Sequence, residues 1–287
     1  MPELPEVETV CRGLAKSITG KTLERLELRR KSLRFPFPRG MAQKCAQQRI
    51  TAIRRRAKYI LIDLANGQTI IAHLGMTGRM VIAAAGEKYT PEKHDHVIFH
   101  FADGGRVVFN DARRFGVLDI APVHMLEASA HFAHLGPEPL EDTFTPEYLA
   151  AKLATRKTPV KIAIMDQEVV VGVGNIYAAE ALFAARIDPT RPAHTLGKAE
   201  VKKLWAEIRT VLQKAIAAGG SSIRDYVQSD GELGYFQHHW AVYGKEGEKC
   251  PRCNTRSAKT APLQKNAEIT KITQGGRSTF YCPHCQK

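Results

Sequence analysis

The chain has 287 residues, enough for about two ordinary domains with a small appendage, and its 44% hydrophobic and 25% charged content excludes a disordered, collagen-like or coiled-coil chain in favour of a soluble folded protein. Forty-two Lys and Arg against 29 Asp and Glu leave a net charge of +13, so a polyanion is the expected partner. Nucleic acid ranks above an anionic membrane surface, because every phosphate neutralised releases condensed counterions, and neither a basic-then-apolar leader nor an uninterrupted apolar span is expected from residues such as Asn175, Tyr177 and Glu180 inside the most apolar stretch, 169–185.

Val7, Val10, Leu14 and Ile18 recur at three- and four-residue steps and predict a short amphipathic helix near the N-terminus. Between 23 and 120 the pattern changes to short runs rich in β-branched and aromatic residues, at 59–64, 69–73, 96–101 and 106–110. They are separated by Asn66-Gly67, Gly75 and Asp103-Gly104-Gly105, a rhythm that predicts a β-sandwich or barrel. The prolines and glycine after His134 break all periodicity and mark a hinge. Beyond it, Val201, Leu204, Trp205, Ile208, Leu212, Ala215 and Ile216 share one helical face that ends at Gly219-Gly220. Residues 219–236 read as a surface loop, and a cysteine module begins near 242.

Cys11 and Cys45 stand alone, whereas Cys250, Cys253, Cys282 and Cys285 form two CxxC pairs with 28 residues between them. Four soft thiolates in two such hairpins are the donor set of one closed, structural Zn2+. A segment with Pro, Gly and charge but few aliphatics has little else to fold around, and His284 reads as a solvated neighbour rather than a ligand. This cysteine usage points to the cytosol.

The stretch that ends in Gly275-Gly-Arg-Ser-Thr-Phe-Tyr resembles the β-hairpin zinc finger of formamidopyrimidine-DNA glycosylases, and Pro2-Glu-Leu-Pro-Glu-Val-Glu-Thr resembles the N-terminal signature of the same family. The likeness continues in order through Arg55-Arg-Ala-Lys-Tyr, His73-Leu-Gly-Met-Thr-Gly, Lys93-His-Asp-His, Asp111-Ala-Arg-Arg-Phe-Gly, Gly172-Val-Gly-Asn-Ile-Tyr and Gln228-Ser-Asp-Gly. It covers essentially the whole chain. The resemblance implies an α+β protein with an N-terminal β-sandwich catalytic domain (1–134), a helix–two-turn–helix DNA-binding domain with a lesion-capping loop (135–241) and a C-terminal β-hairpin zinc finger (242–287). DNA is expected to lie across the cleft between them.

The resemblance also assigns roles, and the chemistry of each residue suits its role. Removal of Met1 makes Pro2 a secondary amine, and an α-amino group titrating at about 7.7–8.0 is partly neutral at pH 7. Its attack on a sugar C1′ yields an iminium that acidifies the C2′ proton and couples base removal to strand cleavage. Glu3, supported by Glu6, shuttles protons. Lys58 shares strand parity with Ile60, Ile62 and Leu64, an unusual place for a solvated lysine, and the family makes it catalytic in elimination. Arg54, Arg55 and Arg56 read as surface or phosphate charges. Arg277 grips phosphates near the lesion and assists the second elimination.

Reaching a base inside a duplex requires flipping it out and filling the gap. Met76, Arg113 and Phe115 match the family's void-filling trio, in which a thioether and a ring wedge the stack while a guanidinium bonds the orphaned base. The family commonly has Pro where Ala112 stands. Asn175 is read as a helix cap and DNA contact behind Gly172 and Gly174, and His94 and Arg156 align with further DNA-contact positions. The loop 219–236 resembles a lid whose backbone N–H groups at 223–226 read the flipped purine. The segment 256–268 is longer than the family pattern.

The expected activity is therefore a bifunctional glycosylase and AP lyase acting on 8-oxoguanine and formamidopyrimidines in damaged double-stranded DNA. The expected protein is a cytoplasmic monomer, nucleoid-associated through DNA, with one structural Zn2+, no redox cofactor, no Mg2+ and no membrane partner. An endonuclease VIII-like enzyme for oxidised pyrimidines is the nearest competitor, against which Leu4 and the lid-like loop weigh. A non-catalytic lesion-binding protein is the other, against which Pro2, Glu3 and Lys58 weigh.

Overall fold

The computed structural model describes residues 1–221, 236–254 and 267–287. They fall into two compact units, one formed by Met1–Ala133 with Ala215–Gln237, the other by His134–Lys214 with His238–Lys287.

The first unit opens with helix α1 (Leu4–Ile18), whose N-terminal turn contains Pro5 and whose buried face includes Val7, Val10, Leu14 and Ile18, the predicted stripe. After β1 (Thr22–Leu28) and the single-turn α2 (Met41–Cys45), seven strands follow: β2 (Gln48–Arg56), β3 (Tyr59–Leu64), β4 (Gln68–His73), β5 (Arg79–Ala83), β6 (Asp95–Phe101), β7 (Arg106–Asn110) and β8 (Val117–Pro122). The four runs anticipated from composition correspond to β3, β4, β6 and β7.

The strand order is β5-β7-β6-β1-β2-β3-β4-β8, antiparallel at every neighbouring pair. The two four-stranded halves are joined only where Thr22 and Leu23 of β1 pair with Arg49 and Gln48. Leu23, Phe99, Phe101 and Phe109 from one half and Ile50, Ile62, Ile70 and Leu118 from the other share one core with α1. Each half thus buries one face against the other, as alternating strands require.

In the second unit, α3 (Pro146–Ala154) starts at Thr145, whose side chain accepts the Tyr148 N–H, as a helix start of the Thr-Pro type should. It is followed by α4 (Val160–Met165), α5 (Asn175–Ala185) and α6 (Lys198–Ala217). Val201, Leu204, Ile208 and Leu212 of α6 are buried as predicted, and the half-buried Trp205 donates its Nε1–H to the Phe144 carbonyl. Helix α5 is buried on nearly every side, so its apolar residues show no stripe. Strands β9 (Thr270–Gln274) and β10 (Arg277–Tyr281) form a hairpin. Among the described residues no helix is long and apolar enough to cross a membrane.

Phe99 lies fully buried at the centre of β6. Replacing it with Ala should destabilise the first unit by about 3–5 kcal/mol, visible as a lower urea midpoint at an unchanged m-value.

Candidate active site

In the first unit the residues that follow Met1 are held inside the protein. Pro2 is buried, as are Glu3 and Glu6, and Met1 is exposed and joined to Pro2 by an ordinary amide. Glu3 occupies the N-cap of α1, and its backbone N–H donates to Glu6 Oε2 at 2.9 Å. Glu6 Oε1 accepts the N–H of Ser221 at 2.8 Å. One buried carboxylate therefore binds the residue after Pro2 to the start of the loop that follows α6.

Helix α1 is also tied to β2 and to the turn beyond it. Arg55 donates through Nε to Glu8 at 3.0 Å and through an NH1 group to the Ala57 carbonyl at 3.0 Å. Arg54 holds Asp63 with two hydrogen bonds, at 2.6 and 2.9 Å. These arginines were expected to be surface or phosphate charges; Arg54 is exposed as expected, Arg55 is largely withdrawn from solvent, and all three form ion pairs within the unit, Arg56 with Glu127. Lys58 lies in the β2–β3 turn rather than in the strand, after Ala57 at φ +53°, and is nevertheless buried.

His73, quoted in a motif but given no role by sequence reasoning, faces Tyr59 across β3 and β4. Its Nδ1 accepts the Gly75 N–H at 3.0 Å, which leaves Nε2 to carry the proton of the neutral ring. Burial, then the charges of Lys58, Arg34 and His131, push its pKa down to about 4.

Met76, Arg113 and Phe115 are brought together at the ends of β4 and β7. Met76 is 40% exposed and Phe115 44%, against the ordinary expectation that such residues are core. The Arg113 guanidinium stacks 4.7 Å from the centre of the Phe115 ring, and its backbone N–H donates to Thr77 Oγ1 at 3.2 Å. Gly75, at φ +64°, lets the two loops touch: a Cβ there would lie 2.5 Å from the Phe115 carbonyl carbon. His94 is half-buried beside His96, with ring centres 6.2 Å apart.

In the second unit Asn175 is not the expected cap. Gly174 occupies the N-cap of α5, because the Asn175 side chain is engaged elsewhere. Its Oδ1 accepts from Lys161 Nζ at 2.6 Å, and its amide donates to the Ser278 carbonyl at 2.9 Å and to the Tyr243 hydroxyl at 3.3 Å. Lys161, fully buried in α4, also donates to Thr279 Oγ1 at 2.7 Å and to the Ser278 carbonyl at 3.2 Å. Sequence reasoning missed this lysine; a Lys within the apolar run from Val160 was the available signal.

Arg277, by contrast, is exposed at the start of β10, next to a turn in which Gly275 and Gly276 both have positive φ, the geometry that twisted hairpins favour. Lys161 and Asn175 thus brace the residue that follows Arg277. Arg156 forms a 2.7 Å ion pair with Asp166.

The four module cysteines converge. Their sulfurs lie within 4.8 Å of one another, with Cys250–Cys285 at 3.9 Å and Cys253–Cys282 at 3.8 Å. A tetrahedron with Zn–S bonds of about 2.3 Å has edges of about 3.8 Å, so the donor set fits one structural zinc. The module is fixed to α5 from several directions. Glu180, whose carboxyl burial pushes up against the pull of its donors, accepts the N–H groups of Ala241, Val242 and Tyr243. Arg252, inside the first CxxC, donates to the Phe183 carbonyl at 2.6 Å and stacks on that residue's ring. The expected lid contacts at 223–226, the Gln228 motif and the long finger segment from 256 to 266 lie outside the described residues.

Family models match residues 1–118 as "Formamidopyrimidine-DNA glycosylase N-terminal domain", 135–227 as "Formamidopyrimidine-DNA glycosylase H2TH domain" and 267–287 as "Zinc finger found in FPG and IleRS". A relative from Cereibacter sphaeroides, a formamidopyrimidine-DNA glycosylase by name, is 47% identical with both chains fully covered. Among solved structures, a Lactococcus lactis FPG mutant in complex with Fapy-dG containing DNA superposes with a TM-score of 0.88 at 35% identity over the whole of both chains. The wild-type Lactococcus lactis protein in complex with an oxidised pyrimidine containing DNA gives a TM-score of 0.87 at 34% identity, again with both chains fully covered.

Three measurements follow from this geometry. Lys161→Met should destabilise the second unit by about 1–3 kcal/mol, because it strands buried acceptors, and urea unfolding reads this directly. Metal analysis should find one zinc per chain, and Cys253→Ser or chelation should release it and expose 267–287 to proteolysis. The His73 ring should stay neutral down to about pH 4 in an NMR titration, since its pKa is lowered from 6.5 to about 4. The unfolded chain protonates first on acidification, so the stability from this site is complete above 6.5 and is lost as pH falls toward about 4.

Proposed function

The chain belongs to the formamidopyrimidine-DNA glycosylase family, and from that premise we propose that it is a bifunctional DNA glycosylase and AP lyase removing 8-oxoguanine and formamidopyrimidines from duplex DNA. The observation that carries this reading is an inversion of ordinary burial within one unit. Glu3 and Lys58 are only 3% and 7% exposed while Met76 and Phe115 stand 40% and 44% in solvent. Withdrawing a carboxyl and an amine from water suits proton transfer, and apolar side chains left in water suit insertion into a base stack.

In this reading Met1 is removed and the Pro2 nitrogen attacks C1′ of the lesion sugar. The C1′–base bond breaks, the base leaves with a proton, and the sugar ring opens with Glu3 protonating its oxygen. The resulting iminium draws electrons from C2′ as its proton is removed, and the C3′–oxygen bond breaks; loss of the 5′ phosphate follows. Lys58 assists these eliminations and Arg277 holds phosphate. Met76, Arg113 and Phe115 fill the vacated stack, and His94, Arg156 and Asn175 contact the backbone. Three domains, 1–134, 135–241 and 242–287, divide the work, a division in keeping with the three matched family segments. The zinc holds the finger and takes no part in the chemistry. The protein acts as a cytoplasmic monomer on nucleoid DNA.

A reading as an enzyme for oxidised pyrimidines is favoured by one observation, the Lactococcus lactis neighbour captured with such DNA. Competition between 8-oxoguanine and thymine-glycol duplexes separates the two: the purine reading requires faster cleavage of the former. A non-catalytic sensor would bind without cleavage under single-turnover conditions.

Borohydride trapping on an 8-oxoguanine:cytosine duplex tests the mechanism itself. Met1-free protein should give a covalent adduct at its N-terminal peptide, protein retaining Met1 should give none, and Pro2→Gly should give less. Binding without adduct or cleavage would rule out this mechanism on that substrate.

A further inference from the structure

Asp111 is fully buried at the end of β7, and every polar group of the residue is used to join loops. Its Oδ1 accepts the Thr77 hydroxyl at 2.6 Å and its Oδ2 the Gly116 N–H at 2.8 Å. Its N–H donates to the His94 carbonyl at 3.0 Å. Its own carbonyl accepts His96 Nε2 at 2.9 Å and the Arg114 N–H at 3.3 Å. Thr77 extends the connection, since the oxygen that donates to Asp111 also accepts the Arg113 N–H.

These bonds reach the chain beside each exposed side chain. Thr77 adjoins Met76, Gly116 adjoins Phe115, and Arg113 is held by its own amide. Between them Arg114 adopts φ +58°, a left-handed conformation that a non-glycine residue keeps only when its surroundings impose it. Met76 and Phe115 stand 40% and 44% exposed, so the hydrogen bonds beneath them contribute to holding their backbones in place.

We propose that Asp111, acting through the Thr77 hydroxyl, is a positioning residue that sets Met76, Arg113 and Phe115 in one fixed constellation, and that this latch controls how fast the protein opens the base stack. The proposal rests on the reading of those three side chains as the stack-filling wedge. A buried carboxylate suits the task because its two oxygens accept from two loops at once. A displaced constellation loses rate without loss of fold, since misplacement by about 1 Å is worth about a hundredfold.

The test uses the full-length zinc-loaded protein and an 8-oxoguanine duplex with 2-aminopurine beside the lesion, whose fluorescence rises when it is unstacked. Thr77→Val removes the hydroxyl at nearly constant volume; Thr77→Ser restores it; Asp111→Asn is the second disruption. Thr77→Val should slow the fluorescence rise by about tenfold or more and lower by the same factor the ratio of duplex excision to nicking of a single-stranded abasic oligonucleotide, which needs no wedge. Thr77→Ser should recover both. Equal losses on duplex and single strand, or a fluorescence rate in Thr77→Val equal to that of the unaltered protein, would overturn the latch.

A Met76→Ala, Arg113→Ala, Phe115→Ala triple variant separates this from failure of the wedge reading. If the triple variant unstacks the duplex at the normal rate, the wedge reading fails and takes the latch with it. If the triple variant is slow and Thr77→Val is not, the latch alone fails. Should Asp111→Asn melt well below the unaltered protein, the Thr77 pair still decides the outcome.

Discussion

A polar group taken out of water must find its partners within the protein, at a cost of about 1–3 kcal/mol for each one left unmet, and this constraint organises both units. Glu6, Asp111, Lys161 and Glu180 are all buried, and each draws partners from a segment distant in the chain. Glu6 joins the start of α1 to Ser221. Asp111 joins the loops after β4 and β7, and Lys161 joins α4, α5 and β10. Glu180 gathers the three N–H groups at the entry to the cysteine module. Hydrophobic burial supplies most of the stability of such a core, but it is non-directional; these hydrogen-bonded centres fix the loops in register.

The surfaces that remain are the ones that the proposed function assigns to DNA. Met76 and Phe115 are exposed because the backbones beneath them are already committed to Gly75, Thr77 and Asp111. Arg277 is exposed at the tip of a hairpin whose next residue is clamped by Lys161 and Asn175. In both units an exposed side chain, thioether, ring or guanidinium, is mounted on a hydrogen-bonded base. Ordering the base beforehand reduces what binding must later immobilise.

The regular elements were legible in the sequence where local rules govern. The stripe of α1, the runs of β3, β4, β6 and β7 and the face of α6 all express periodicity, and short strands between Gly-rich turns are recognisable without knowledge of their partners. Helix α5 was also read, from its Gly-Asn start, although burial on nearly every side erases the stripe. The cysteine spacing was sufficient for a metal site, since each CxxC is a local chelate. Asn175 was misread as a cap because Gly-Asn before an apolar run has that form; the competing partner, Lys161, lies 14 residues away on another helix. Arg55, largely withdrawn from solvent, was taken for a surface or phosphate charge for the same reason, its carboxylate partner Glu8 lying on another element.

By itself, then, the sequence determined the basic character of the protein, its order of elements, the zinc donor set and, through motifs in a shared order, its family. These are properties of composition and of short-range geometry. Only the tertiary structure decided that Glu6 would meet Ser221, 215 residues on, that Lys161 would meet Thr279, 118 residues on, and that Asp111 would close on Thr77, 34 residues back. It also decided that Met76 and Phe115 stand in water while Glu3 and Lys58 do not. Hydrogen bonds between distant residues leave no periodic trace in the chain, because their partners are chosen by how the sheet halves and helices pack rather than by any spacing along it.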